Sequence, residues 1–330
     1  MARIAIVTPA GAGSRNGNRH TAQRWAGFLR AAGHRVSVDT EWNGKPCDLL
    51  LALHARRSHP SVLKYRKRFP AGPLVVALTG TDLYRDLPAS REAQHSLRLA
   101  DRVIVLQEDA LRFLSPGIRK KARVVYQSAA PSVRHAPLTG RFRVAVVGHL
   151  RKEKDPFRAA LALSHVKQDV EVVQIGDALS PEMKTEALRL MKREPRYHWL
   201  GGRTHRQALG WIARSHLLVV SSVMEGGANV ISEAARIGTP VLASRVSGNV
   251  GMLGRNYPGY FPLFDGRRLA SLIERAAAGP EFYRKIRRAM AARRPLFSPT
   301  AESQALRNAL RGPLDVAARR TNRSPFTASG

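Results

Sequence analysis

The chain is poor in acidic residues, cysteine and aromatic side chains, and it has no long apolar run. Its one cysteine, Cys47, leaves no disulfide to form within the chain, which fits a reducing cytoplasm rather than a secreted scaffold. No stretch of about 18 consecutive apolar residues occurs, so no segment reads as a membrane-spanning helix. The opening "MARIAIVTPAGAG" ends its apolar run in proline and glycines. That is the pattern of a buried first strand and its loop, not of a signal peptide. With 24 Asp and Glu against 55 Lys and Arg, the net charge is +31. Such a field favours anions: nucleic acid, anionic lipid or phosphorylated metabolites. A nucleic-acid binder would carry a basic stripe interleaved with aromatics. Aromatics are only 6% of this chain and scattered, which argues against that class. There is no Asp-x-Asp sequence to hold a metal diphosphate. No metal and no cofactor is therefore expected, and basic side chains and helix N-termini must hold any phosphate.

What is present is an alternation. A length of 330 residues exceeds the usual single domain. "RIAIVTP", "RVSVD", "DLLLAL", "PLVVALTG", "DRVIVLQ" and "ARVVYQ" read as strands. They are continuous apolar runs, as parallel strands buried on both faces are. "TAQRWAGFLRAAGHRV" reads as a helix with Trp25, Phe28, Leu29 and Ala32 on one face, closed by Gly33. "SAAPSVRHAPLTGR" breaks the pattern as a hinge would, and "FRVAVVGHL", "EVVQIGD", "HLLVVSS" and "TPVLAS" restart it. The expectation is an α/β chain of two Rossmann-like domains with parallel sheets. They span residues 1–135 and 136–290, followed by a terminal helix and a disordered basic tail over 291–330.

In open parallel sheets, ligands bind beyond the carboxyl ends of the strands. The first such loop, "TPAGAGSRNGNRH", holds Gly11, Gly13 and Gly17 together with Arg15, Asn18, Arg19 and His20. Glycines let backbone amides approach an anion, and a helix N-terminus adds positive potential. Three readings stay open: a tight turn, a phosphate or acceptor loop, and a nicotinamide-cofactor fingerprint with Asp39 holding the ribose. For the last, the spacing G-x-G-x-x-x-G is one residue too long. "LHARRS" puts His54, Arg56 and Arg57 after the third strand, either as an anion contact or as a structural histidine with solvated neighbours. "LTGTDLY" brings Thr79, Gly80, Thr81 and Asp82 to the same edge, as ligands or as a helix cap.

In the second array, Gly148 ends a strand, and His149, Arg151 and Lys154 follow it, three basic groups that suit a diphosphate. In "YHWLGGR", Gly201 offers bare backbone to the edge of a flat base. "MEGGANVISEA" places Glu225 before a helix and Glu233 within it, with Gly226, Gly227, Ala228 and Asn229 between, and Gly238 then stops the helix.

The series G-H-L-x-x-E-K, Y-H-W-L-G, S-S-x-x-E-G-G-A-N-V-I-S-E-A and G-T-P-V-L-A-S resembles the donor domain of retaining GT-B glycosyltransferases of the family-4 type. "ADRVIVLQEDA" resembles a segment of their N-terminal domain, and the likeness runs from residue 3 to about 290. The resemblance implies a UDP-sugar-dependent, metal-independent hexosyltransferase. It implies that Glu233 holds the nucleotide ribose and Glu225 the sugar hydroxyls. Amides at Gly227, Ala228 and Asn229 would meet the sugar and diphosphate. The family's Arg-plus-Lys diphosphate pair falls on His149 and Lys154; His149 departs from the pattern, and Arg151 lies close enough in sequence to compensate. The family's frequent catalytic histidine is absent at "TGTD". Lys154, Glu225 and Arg151 are thus the expected catalytic groups.

A narrower likeness, carried by the first loop, "HARRS", "LTGTDLYRDL", "GHLRKEKDPFRAAL", "MEGGANVISEA" and "YPGYFP", is to the selenosugar synthases of selenoneine biosynthesis. It implies UDP-GlcNAc or UDP-glucose as donor and selenophosphate as acceptor, giving a selenosugar. Arg15, Arg19, His20, Arg56 and Arg57 are then expected on the acceptor side. The rival is an enzyme of the same fold with a lipid or polysaccharide acceptor, for which "SVLKYRKRFP" is the candidate amphipathic stretch.

Overall fold

The computed structural model describes residues 1–9, 11, 17–80 and 82–321; Gly13, Arg15, Thr81 and most of the basic tail lie outside these. The chain forms two compact units, Met1–Gln127 with Thr300–Gly330, and Ser128–Pro299. The first contains β1 (Arg3–Val7), α1 (Gly17–Ala31), β2 (Arg35–Asp39), β3 (Leu49–Leu53), α2 (His59–Arg68) and β4 (Leu74–Leu78). It continues through α3 (Arg91–Leu99), β5 (Arg102–Val105), α4 (Pro116–Lys120) and β6 (Ala122–Val124). The second contains β7 (Phe142–Val147), α5 (Arg158–Ala162), β8 (Val170–Ile175), α6 (Pro181–Arg193), β9 (Tyr197–Trp199) and α7 (His205–Arg214). Next come β10 (Leu217–Val220), α8 (Asn229–Ile237), β11 (Val241–Ser244) and α9 (Ser247–Leu253). β12 (Tyr260–Phe261), α10 (Gly266–Ala278) and α11 (Pro280–Arg293) close this unit, and α12 (Pro299–Thr321) follows.

Each unit has a six-stranded sheet, in the orders β2-β1-β3-β4-β5-β6 and β12-β11-β10-β7-β8-β9. The strand pairs are parallel in both. Interior strands β3 and β4 are buried at every position, while edge strand β2 alternates. The apolar runs are double-sided for this reason. Leu50 and Ala52 of β3 join a core with Val62, Tyr65, Ala93 and Leu97. Leu49, Leu51 and Leu53 join another with Trp25, Leu29, Leu306 and Leu310. Helices therefore cover both faces, as a doubly wound sheet requires.

Four expectations change. Helix α1 starts at Gly17, where the Thr21 hydroxyl bonds back to the Gly17 carbonyl at 2.8 Å, so Asn18, Arg19 and His20 belong to its first turn rather than to the loop. Its buried face is Thr21, Ala22, Trp25, Ala26 and Leu29; Ala32 is exposed. Short strands β9 and β12 complete the second sheet, one beyond each expected edge. The stretch read as a hinge is bonded into the second unit, through His135 N to Ile237 O at 3.1 Å, Ala136 N to Ala213 O at 2.8 Å and Leu138 N to Arg214 O at 3.1 Å. The terminal helix is not a separate appendage. Leu306, Ala309 and Leu310 of α12 pack into the first unit's core. The buried Glu302 accepts from Trp25 Nε1 at 2.7 Å and Arg24 Nε at 2.8 Å.

Candidate active site at the carboxyl ends of β7 and β10

In the second sheet the chain runs outward from β7 through β8 and β9, then returns to lay β10 on the other side of β7. The reversal makes a crevice between neighbouring strands whose connections depart in opposite directions, where open α/β sheets bind ligands. The loops that leave β7 and β10 are those singled out by the sequence.

After β7, glycines at three strand ends stand side by side. Gly176 N donates to Gly201 O at 2.9 Å. A Cβ on Gly176 would lie 2.0 Å from the Gly148 carbonyl oxygen. Gly148, Gly176 and Gly201 have φ of 151°, 150° and 68°, a region that favours glycine. His149 is half-exposed, and its Nδ1 accepts from Asp177 N at 3.2 Å, which assigns the ring proton of the neutral form to Nε2. Arg151 is exposed and leads into a single turn over Lys152–Lys154.

The β10 loop clasps this turn. Ser221 Oγ donates to the carbonyls of Lys154 and Asp155 at 3.2 and 2.8 Å, and Val223 N donates to Glu153 O at 2.9 Å. So held, Lys154 Nζ hydrogen-bonds to Glu225 Oε1, which also accepts from Ser222 Oγ at 2.6 Å. Glu225 is buried, and the lysine is about a quarter exposed. From behind, Ser244 Oγ donates to Ser222 O at 2.6 Å, and Asn249 Nδ2 donates to Ser244 O at 3.0 Å. The backbone of Gly248 lies so close that a Cβ there would stand 1.9 Å from the Glu225 carbonyl oxygen. Sequence reading named Lys154 and Glu225 but not the residues that brace them.

Helix α8 begins at Asn229, just past Gly227 and Ala228. Ala228, at its N-cap, gives no side-chain capping bond. The first-turn amides thus carry their partial positive charge toward whatever lies beyond. Gly238, at φ 102°, ends the helix as expected. Glu233, on the next turns, accepts from His205 Nε2 at 2.8 Å; no sequence signal joined these two.

The first unit's edge is organised differently. His54 is buried with φ 74°, and its Nδ1 accepts from Arg57 N at 3.3 Å. Its two ring nitrogens lie 4.0 Å from Asp82 and 3.6 Å from Asp86. Asp82 is fully buried and accepts from Gly80 N at 2.9 Å and Ala55 N at 3.3 Å. Burial pushes Asp82 up and His54 down, so both lean toward neutrality. These two knit the β3 and β4 loops together, which favours the structural reading for both. Arg56 pairs with Asp86 at 3.1 Å, while Arg57 is exposed. Thr79 Oγ1 is buried with no hydrogen-bond partner among the described residues. Gly11 is exposed, Asn18 and Arg19 are half-buried, and His20 is exposed. Burial pushes the Cys47 thiol up to about 11, away from the reactive thiolate form.

Residues 132–293 match the family model of the glycosyl transferases group 1. Among solved structures, sucrose-phosphate synthase from Thermosynechococcus elongatus superposes with a TM-score of 0.78 at 18% identity, covering 96% of this chain and 100% of that one. HepE of Anabaena, solved with UDP and glucose, gives 0.75 at 16% identity, with 94% and 100% covered. The lipopolysaccharide outer core galactosyltransferase WaaB gives 0.71 at 15% identity, with 94% and 99% covered. The two parallel sheets and their helices are thus the GT-B fold.

Proposed function

We propose that this GT-B protein, whose residues 132–293 match the glycosyl transferases group 1 model, takes its sugar from a UDP-sugar and passes it to selenophosphate. The observation that carries the donor half is the Lys154–Glu225 pair beside the uncapped start of α8. A UDP-sugar has vicinal hydroxyls at both ends and a diphosphate between. Glu225 and Glu233 accept from hydroxyls; Lys154, Arg151 and the α8 amides hold the diphosphate. When the anomeric C–O bond breaks, negative charge grows on the β-phosphate, and donors already aimed there lower the barrier. UDP-bound HepE is the neighbour that supports this donor.

The acceptor half rests on sequence likeness and on charge. The selenium of selenophosphate is anionic and needs no strong general base. It attacks the anomeric carbon, a C–Se bond forms, and UDP leaves with the electron pair of the broken C–O bond. The deciding experiment is product mass spectrometry with a panel of UDP-sugars, UDP-GlcNAc and UDP-glucose foremost, and selenophosphate. A UDP-dependent product carrying selenium supports the reading; turnover only with hydroxyl acceptors overturns it. One observation favours that second reading. "SVLKYRKRFP" falls on α2, where Leu63 is 40% exposed beside exposed Lys64, Lys67 and Arg68, a face suited to an anionic lipid or polysaccharide.

Two outcomes are expected here. Turnover survives EDTA, because the cations that hold the diphosphate are side chains; loss of activity restored by Mg²⁺ or Mn²⁺ would contradict this. Arg57→Ala raises the KM for selenophosphate by roughly tenfold, the worth of one charge-assisted phosphate contact, and leaves UDP affinity near native. Unchanged selenophosphate kinetics would remove Arg57 from the acceptor side.

A further inference from the structure

Glu233 does not stand alone on α8. Its Oε1 takes the 2.8 Å hydrogen bond from His205 Nε2 on α7. The imidazole is 72% exposed and the carboxylate 16%. His205 is the first residue of α7, and a capping box fixes that turn: Gln207 N donates to Thr204 Oγ1 at 3.3 Å, and Thr204 N donates to Gln207 Oε1 at 3.0 Å. The other charged side chains of α7, α8 and the adjoining β7 are Arg206 and Arg214, Arg236, and Arg143, all basic. Glu233 is the one carboxylate within ion-pair reach of the ring among the described residues. Its hydrogen bond holds the His205 pKa above the ordinary histidine value.

We propose that His205 is a positioning residue for the donor nucleotide, fixing the Glu233 carboxylate so that its remaining lone pairs accept the two ribose hydroxyls. This rests on the reading of Glu233 as the ribose acceptor. A carboxylate has about four lone-pair sites. His205 takes one, on Oε1, which leaves both oxygens able to accept from a vicinal diol. A glutamate ordered by its ligand loses rotamer freedom on binding; one held beforehand does not, and the difference appears as affinity. The hold is charge-assisted while the imidazole is protonated and weakens to a neutral hydrogen bond when it is not. Because the folded pKa is raised, the clamp is at full strength on the acid side and relaxes as pH rises through that value.

The test is calorimetric titration with UDP-glucose, whose diphosphate diester does not titrate near neutrality, from about pH 5.5 to 8.5. Native enzyme should bind more tightly at the acid end. His205→Ala should bind roughly three- to tenfold more weakly there, a fraction of the full worth of a charge-assisted hydrogen bond because the ring is largely exposed to water, and the gap to native should narrow toward the alkaline end. His205→Gln, a neutral donor, should hold native alkaline-side affinity at every pH, which a purely structural histidine would not do. Glu233→Ala should bind weakly throughout. If Glu233→Ala weakens binding while His205→Ala titrates like native, the clamp is wrong and the ribose reading stands. If Glu233→Ala binds as native does, the ribose reading falls and the clamp with it.

Discussion

Lys154→Ala should lower kcat by about 10²- to 10³-fold, the loss seen when one preorganised donor to a developing oxyanion is removed. The lysine has two roles, which kinetics and melting read separately. It neutralises a buried carboxylate, Glu225, and in the proposed reaction it faces the β-phosphate as UDP departs. Without it, Glu225 Oε1 keeps only the Ser222 hydroxyl among the partners described here, and some stability is lost as well. A thermal melt alone therefore cannot carry the result; single-turnover kinetics at saturating UDP-sugar must. Lys154→Arg keeps the charge but spreads it over a planar fork, which does not replace a compact ammonium, so partial recovery is expected. A kcat near native in the alanine variant, whatever its melting temperature, would remove Lys154 from the chemistry.

Gly248→Ala should damage both fold and turnover, although it adds one methyl group at a residue that is itself given no ligand contact. The new carbon would meet the Glu225 carbonyl carbon at 2.5 Å and the Glu225 Cβ at 2.6 Å. Neither is the loose end of a side chain, so either α9 or the Glu225 loop must move. Overpacking of this kind costs ~1–3 kcal/mol, which in a unit of this size lowers the melting temperature by roughly 2–4 °C per kcal/mol. The larger effect is on rate, since a misplacement of about 1 Å can cost a hundredfold. Gly279→Ala is the control, because nothing lies within 4 Å of a Cβ there. Native kinetics in Gly248→Ala would show that the Glu225 loop can shift without consequence.

The sequence disclosed most of the architecture because parallel strands such as β3 and β4 must be apolar on both faces, and an uninterrupted apolar run is visible without knowing its neighbours. Strands β9 and β12, of three and two residues, are too short to show a pattern. Glu225 and Glu233 could be found because they stand on one local segment with a family-like spacing. That Lys154 pairs with Glu225 could not, since 71 positions separate them. Gly248 was silent for another reason: its need for a bare α-carbon is set by a backbone oxygen on a different loop. His205 looked like any exposed histidine until α7 was laid against α8. His54 was legible as a residue at a strand end, but whether it reached outward or inward depended on Asp82 and Asp86, which arrive from the next loop.

Helix α12 has a consequence for how the protein comes into being. The first unit is not a contiguous length of chain: Glu302, Leu306, Ala309 and Leu310 complete a core begun by Trp25 and Leu29. As the ribosome delivers the chain from its N-terminus, the first sheet emerges with one flank bare and the Trp25 indole N–H without its carboxylate. The whole second unit is made before the missing helix appears. Domains made in sequence usually fold in sequence; here the first to be synthesised is the last to be finished. A message cut anywhere within the second unit yields an N-terminal half that still exposes its apolar flank, and quality-control proteases are built to find such a product.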